Sequence, residues 1–367
     1  MIKRYYFPVL ILIHGMLHLT GFLSEFELVD VMQFRQTFPK PFNNLWLIAG
    51  LLFAFTAFLL AFRNRRWWLC GIVAVAFSQV LVIVFWQEAK FATIPNVVIL
   101  VAALTAAAAC FFKRKFDRDV KTGLQQKAYF GDSLLTETDI SQLPDPVKKY
   151  IRFAGCMGKA KVNNFRVEFT GKLRKDEQSA WMPFTSEQYN FMHTPTRLFF
   201  MKAWMKNLPV AGYHCFLDGR ASMDIRLFSL FKVQYQDGPE MDLSETVTFF
   251  NDMCCLAPAT LIDKRITWLE VLDGNVRASF TNNHLTVSAW LHFNEAGALV
   301  NFISLDRYAA DTGTQLPWAT PLKDYQEING FNLMRDAETI YSYPDRDLCY
   351  GTFRLDGVKY NCIIKDL

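Results

Sequence analysis

Apolar and polar positions divide this chain into two regimes. Residues 5–23, 45–62, 67–86 and 97–112 form four apolar runs, almost free of charge and separated by short polar punctuation. A hydrocarbon core about 30 Å thick takes about 20 residues of helix. The first three runs reach that length, and the fourth does so if it starts near Ile94. Lipid offers no partner to a backbone N–H or C=O, so runs of this kind are predicted to be helices.

From Asn164 the period changes to two. Alternating runs are predicted as strands at 165–173, 186–192, 197–204, 212–217, 221–227 and 231–236. They resume at 267–272, 276–281, 285–293, 298–305, 323–328, 337–343 and 350–361. Turn signals such as Asp218-Gly219, Asp273-Gly274, Asn329-Gly330 and Asp356-Gly357 lie between them. Short strands at this spacing, with no helix between neighbours, predict one large antiparallel sheet or barrel. Between the two sets, residues 244–263 carry apolar positions at helical spacing, with Asp242 or Ser244 as the expected cap. A lone apolar helix among strands must bury itself against the concave face, where it plugs or lines a cavity. The expected fold class is thus a bundle of four transmembrane helices (1–112), a polar linker (113–142) and an antiparallel β half-barrel with an inserted helix (143–367). The linker leads into an amphipathic helix that starts at Leu143-Pro-Asp-Pro-Val147.

Charge adds an orientation. Lys3 and Arg4, then Arg63, Arg65 and Arg66, then the cluster from Lys113 to Lys121 alternate with loops at 24–44 and 87–93 that lack a basic excess. The positive-inside rule puts both termini and the β domain in the cytoplasm, at the inner membrane of a bacterium. The first run is too long for a signal-peptide core and no small-residue cleavage site follows it, so it is expected to be retained. A net charge of +4, concentrated at span ends, gives no reason to expect nucleic acid. Eight cysteines without C-x-x-C spacing suit free thiols in a reducing compartment.

Candidate chemistry is sparse. His14 and His18 share one face of the first span. Their sharpest reading is a haem or metal site, but two histidines on one helix face cannot take opposite axial positions of one iron. Hydrogen bonding across the bundle, to Gln79, Ser78 or Thr56, is the ordinary alternative. Asn251 and Asp252 either point into the cavity, where burial would raise the Asp252 pKa, or cap backbone. Asp306 and Arg307 read as an ion pair at a strand end, beside Tyr308. Trp318 and Thr320, between Pro317 and Pro321, read as a rigid turn at the cavity rim. Gly155-Cys-Met-Gly158-Lys159 lacks the first glycine and the Ser or Thr of a phosphate loop. No nucleophile elbow, His-Glu-x-x-His or dinucleotide fingerprint occurs, and no cofactor is expected.

Several stretches resemble a bacterial family of uncharacterised proteins catalogued as a domain of unknown function, over about residues 140–365. They are Leu143-Pro-Asp-Pro-Val147, Ser186-Glu-Gln188 with Pro195 and Phe199, Asn251-Asp-Met-Cys254, Ala257-Pro-Ala-Thr-Leu-Ile262, Trp268, Ser304-Leu-Asp-Arg-Tyr308 and Pro317-Trp-Ala-Thr-Pro321. More distantly, strands, inserted helix and strands look like the half-barrel of the outer-membrane lipoprotein carriers, which holds acyl chains between a curved sheet and helices. The expected function is therefore binding of a hydrophobic or lipid-like molecule beside the bilayer. Phe249, Phe250, Asn251, Asp252, Trp268, Asp306, Arg307, Tyr308 and Trp318 are the cavity candidates. A hydrolase or isomerase using Asp252, Asp306 and Arg307, and a structural partner without ligand, are the alternatives.

Overall fold

The computed structural model describes residues 5–23 and 40–366, which divide after Phe112 into two compact units. Lys3, Arg4 and most of the loop 24–44 lie outside the described residues.

The first unit is helical, with α1 (Tyr6–Leu23), α2 (Lys40–Ala61), α3 (Trp67–Val84), the short α4 (Trp86–Ala89) and the start of α5 (Thr93–Gly123). Four of its helical segments are long and apolar enough to cross a membrane. They meet on small residues, which let backbones approach. A Cβ on Gly15 would stand 2.9 Å from Phe53 Cβ and 3.1 Å from the Gly50 carbonyl, so the α1 backbone there lies directly against α2. The bundle interior holds one polar chain. His14 Nε2 lies 2.9 Å from Asn96 Oδ1, and His18 Nε2 lies 2.7 Å from Ser78 Oγ. Asn96 Nδ2 donates to Ser78 Oγ at 2.9 Å and to Gln79 Oε1 at 3.0 Å. Of the partners expected for the histidines, Ser78 is used directly and Gln79 through Asn96. Thr56 instead bonds the Leu52 carbonyl. Asn96 escaped the sequence reading because it falls just before the apolar run. Among the described residues no cluster of His, Cys, Asp and Glu could hold a metal ion.

The second unit begins inside α5. Residues 113–123, expected as linker, continue the helix because Phe116 and Val120 bury one stripe of it against strands. After α6 (Glu137–Ile140) and α7 (Asp145–Phe153) come β1 (Asn164–Leu173), β2 (Met182–Phe191), β3 (Thr196–Met205), β4 (Leu208–Leu217), β5 (Arg220–Leu227) and β6 (Phe231–Asp237). Helix α8 (Pro239–Leu256) follows. The chain returns through β7 (Ile266–Leu272), β8 (Asn275–Asn282), β9 (Leu285–Phe293) and β10 (Leu299–Ser304). A two-stranded ribbon, β11 (Tyr308–Ala309) and β12 (Thr314–Gln315), precedes β13 (Trp318–Ile328), β14 (Phe331–Ser342) and β15 (Asp347–Tyr360).

Thirteen strands form one antiparallel sheet, ordered β6-β5-β4-β3-β2-β1-β15-β14-β13-β10-β9-β8-β7. All thirteen alternating runs of the sequence fall in it. The sheet is open, with β6 and β7 as its edges, but it curls until its arms meet: Asn283 Nδ2 in the β8–β9 turn donates to Asp218 Oδ1 in the β4–β5 turn at 2.9 Å. Helix α8 links the two edge strands and runs between the arms. Its N-cap is Gly238, so Asp242 and Ser244 lie within the helix rather than capping it. Trp318 and Thr320 are strand residues, not a turn. Pro321 lies where the ladder to β14 skips Thr320 and Pro321, while on the other side it stands opposite Asn301 of β10.

Candidate functional site

The site is the seam between α8 and the inner face of the sheet. Alternation sets which side chains face in. Ser186, Gln188 and Asn190 of β2 stand opposite Met201, Phe199 and Arg197 of β3, and the last two stand opposite His214 and Phe216 of β4. Tyr189 and Phe200 point to the outer face, where Phe116 of α5 packs on them. From Ser186 to Phe191 the inner positions of β2 are therefore polar, while the outer face carries Tyr189 and Phe191.

Helix α8 meets this wall with both kinds of side chain. Phe249 and Phe250 are completely buried; Phe249 lies 5.8 Å from Phe216, and Phe250 stacks on Phe280 at 5.7 Å and meets Phe302 edge-on at 5.5 Å. The expected hollow is thus filled at this level by the protein's own rings. Beside the rings runs a buried ion cluster. Arg197 Nε donates to Asp252 Oδ2 at 2.8 Å, Nη1 to Glu245 Oε2 at 3.1 Å and Nη2 to Gln188 Oε1 at 3.1 Å. Asp252 Oδ2 also accepts from Gln188 Nε2 at 2.7 Å and Asn190 Nδ2 at 3.0 Å. From the other arm, Arg307 Nη2 lies 3.8 Å from Glu245 Oε1, and its guanidinium sits 4.8 Å from the centre of the Trp318 ring. Arg307 also donates to Tyr341 Oη, which in turn donates to the Tyr308 carbonyl at 2.8 Å.

The two carboxylates differ. Burial pushes the Asp252 carboxyl up, toward its neutral form, in spite of Arg197. Burial acts to raise Glu245 as well, but the charge of Arg197, with His214 and Arg307, outweighs it and holds Glu245 below the usual carboxylate range. His214 is pushed down to about 4 by burial. Two guanidinium groups thus share Glu245, held below the usual carboxylate range, while Asp252, pushed above it, bonds Arg197.

Several expected roles change here. Asn251 and Asp252 cap nothing; Asn251 Nδ2 donates to Thr320 Oγ1 at 3.1 Å, and Asp252 bonds side chains of β2 and β3. Asp306 and Arg307 do not bond each other. Asp306 Oδ2 instead accepts from Ser288 N at 2.6 Å and Ser288 Oγ at 3.1 Å, a structural clasp between strand ends. Trp268 is half-buried on β7 and joins the edge of the core outside the ion cluster. Gln188, Asn190, Arg197, His214 and Glu245 were not among the expected site residues. The only available signal was an arginine alternating with Phe199 and Met201 in a strongly apolar strand.

A curled, open antiparallel sheet closed around an ion-bearing helix is the class these features define. The chain belongs to the Family of unknown function (DUF6544), whose model matches residues 133–353, more than half of its length. No curated protein matches it. Among solved structures it is similar to a LolA superfamily protein from Nitrosomonas europaea, at 10% identity and a TM-score of 0.31 over 60% of this chain and 94% of that one. It is also similar to a DUF1329 family protein from Desulfovibrio piger, at 10% identity and a TM-score of 0.32 over 59% and 91%. Superpositions this loose match no residue to a residue, so no role passes from those proteins to this one.

Proposed function

We propose that this protein is a bilayer-anchored binder of an anionic, lipid-like amphipathic molecule, with α8 occupying the ligand's place in the unloaded state. The carrying observation is the composition of the α8 seam: a wall of phenylalanines beside two arginines, the buried Arg197 and the partly buried Arg307, that converge on Glu245, with Asp252 bonded to Arg197. A buried ion cluster is a poor way to gain stability, because desolvation offsets most of the attraction. It suits a contact that must open, since water or an anionic headgroup can satisfy the same guanidinium groups when the helix leaves. The apolar rings would then meet acyl chain.

The four apolar helices, in this reading, cross the bacterial inner membrane with both termini and the β unit on the cytoplasmic side, as the basic clusters at their ends favour. Anchoring would hold the binding unit at high effective concentration of its ligand. The filled chamber favours one other reading, a rigid module with no small-molecule ligand.

Native mass spectrometry of the full chain extracted in mild detergent decides between them. An adduct of phospholipid mass, lost in Arg307→Gln, is expected, together with faster hydrogen exchange in α8 when phosphatidylglycerol is added. A bare mass and an α8 whose exchange ignores lipid would refute ligand binding and leave the rigid module.

A further inference from the structure

The tips of two neighbouring hairpins carry apolar side chains that nothing in the second unit covers. Trp204, Met205 and Leu208 form the β3–β4 tip, and Leu230 and Phe231 the β5–β6 tip; Trp204 is 58% exposed and Phe231 64%. Both tips lie at one end of the sheet, because β3, β4, β5 and β6 are consecutive neighbours joined by tight turns. The turns are left-handed at both central positions: Lys206 and Asn207 have φ of 49° and 65°, Phe228 and Ser229 of 54° and 57°. An aromatic residue seldom adopts that conformation, and departures of this kind gather where a segment serves something besides folding.

Charge narrows the partner. Lys202, Lys206 and Lys232 are exposed around the tips, and residues 202–209 and 225–233 contain no acid. Arg226 is engaged with a carboxylate, at 2.7 Å from Asp224. Aromatic and aliphatic side chains flanked by lysine, without acids, form the composition that settles at the boundary between headgroups and acyl chains.

Chain direction points the same way. Within the second unit, Lys113 of α5 bonds Glu187, Phe116 packs on Phe200, Asp119 bonds Tyr213 and Gly123 lies against Phe191. The helix therefore runs along β2 and antiparallel to β3. The Trp204 tip lies past Phe200, toward Lys113, the first residue of the second unit.

We propose that the β3–β4 and β5–β6 tips insert among the headgroups of an anionic bilayer surface, with Trp204, Met205, Leu208, Leu230 and Phe231 as the inserted side chains and Lys206 and Lys232 on the phosphates. The inference rests on the reading that the four helices cross that bilayer. A second copy or a protein partner would cover the same side chains by a different route, and the test separates these.

Hydroxyl-radical footprinting of the full chain reads the side chains directly, with one copy per nanodisc so that no second copy or partner is present. Oxidation of Trp204, Met205 and Phe231 is expected to fall to a small fraction of its level in lipid-free amphipol when the disc contains phosphatidylglycerol. Leu217, exposed at the opposite end of β4, is expected to keep its rate. Lys206→Glu with Lys232→Glu is expected to restore oxidation at the tips. Tips that oxidise in discs as fast as in amphipol would overturn the docking while the four-helix reading stands. Equal protection in pure phosphatidylcholine, or protection kept by the double variant, would overturn the anionic surface. Failure of the chain to enter discs would overturn both readings.

Discussion

Arg197→Met is the perturbation that most directly tests the ion cluster. Methionine keeps much of the side-chain volume but removes the donors to Asp252, Glu245 and Gln188, at 2.8, 3.1 and 3.1 Å. Both charged partners are buried, so solvent cannot replace the lost cation. Removing one member of a buried ion cluster costs about 3–5 kcal/mol. For a unit of this size each kcal/mol lowers the melting temperature by about 2–4 °C, giving a fall of about 6–20 °C. The cost must also depend on pH. Without Arg197, burial would hold the folded-state pKa of Asp252 further above its unfolded value and would push that of Glu245 upward against Arg307. Such groups stabilise fully below the unfolded pKa, and that contribution is lost as pH rises through the folded one. The variant should therefore lose more on the alkaline side of neutrality than in mild acid. Thermal unfolding of the full chain in detergent, followed by the circular dichroism of the sheet, gives both numbers. A companion pair sharpens the result: Glu245→Gln should cost more than Asp252→Asn, because Asp252 is already pushed toward its neutral form. A pH-independent loss of under about 1 kcal/mol for Arg197→Met, the range of a surface ion pair, would refute this account of the seam.

Two further outcomes are expected. Gly171→Ala places a Cβ 2.1 Å from the Thr352 carbonyl and 2.7 Å from Phe184 Cε1; since one obstacle is backbone, β1 and β15 must part, and a loss of about 1–3 kcal/mol should appear in the same melt. Asn96→Leu removes the partner shared by His14, Ser78 and Gln79. At about 0.6 kcal/mol per interhelical hydrogen bond, unfolding in sodium dodecyl sulfate should report a loss of about 1–2 kcal/mol, and an unchanged midpoint would show the polar chain to be idle.

Periodicity made the strands legible but not the site, and β2 shows why. Its sequence alternates Ser186, Gln188 and Asn190 with Glu187, Tyr189 and Phe191, which a half-buried strand would turn aromatic side inward. The helical segment 113–123 covers the aromatic side from outside, so the polar side faces α8 instead. Only the docking of α5 reveals that inversion, and no local pattern encodes it. Helix α8 misleads in a similar way. Glu245, Thr248 and Asp252 lie at helical spacing among the apolar positions, and Thr248 and Asp252 meet arginines from opposite arms while Glu245 meets both. Asp306 and Arg307 were singled out for being adjacent, but neighbours along an extended chain point to opposite sides. The small ribbon β11–β12 carried too few residues for any period to register.

The strand order has a consequence for synthesis. Strand β15 joins the β1–β6 arm to the β7–β14 arm, pairing Phe165 with Tyr360 across nearly the whole second unit. While a ribosome is still translating, the two meanders exist as separate halves, each with an unpaired inner edge of the kind that recruits other strands. The sheet can be completed only after residues 347–360 leave the exit tunnel, so until then both halves keep an edge open to pairing with other chains.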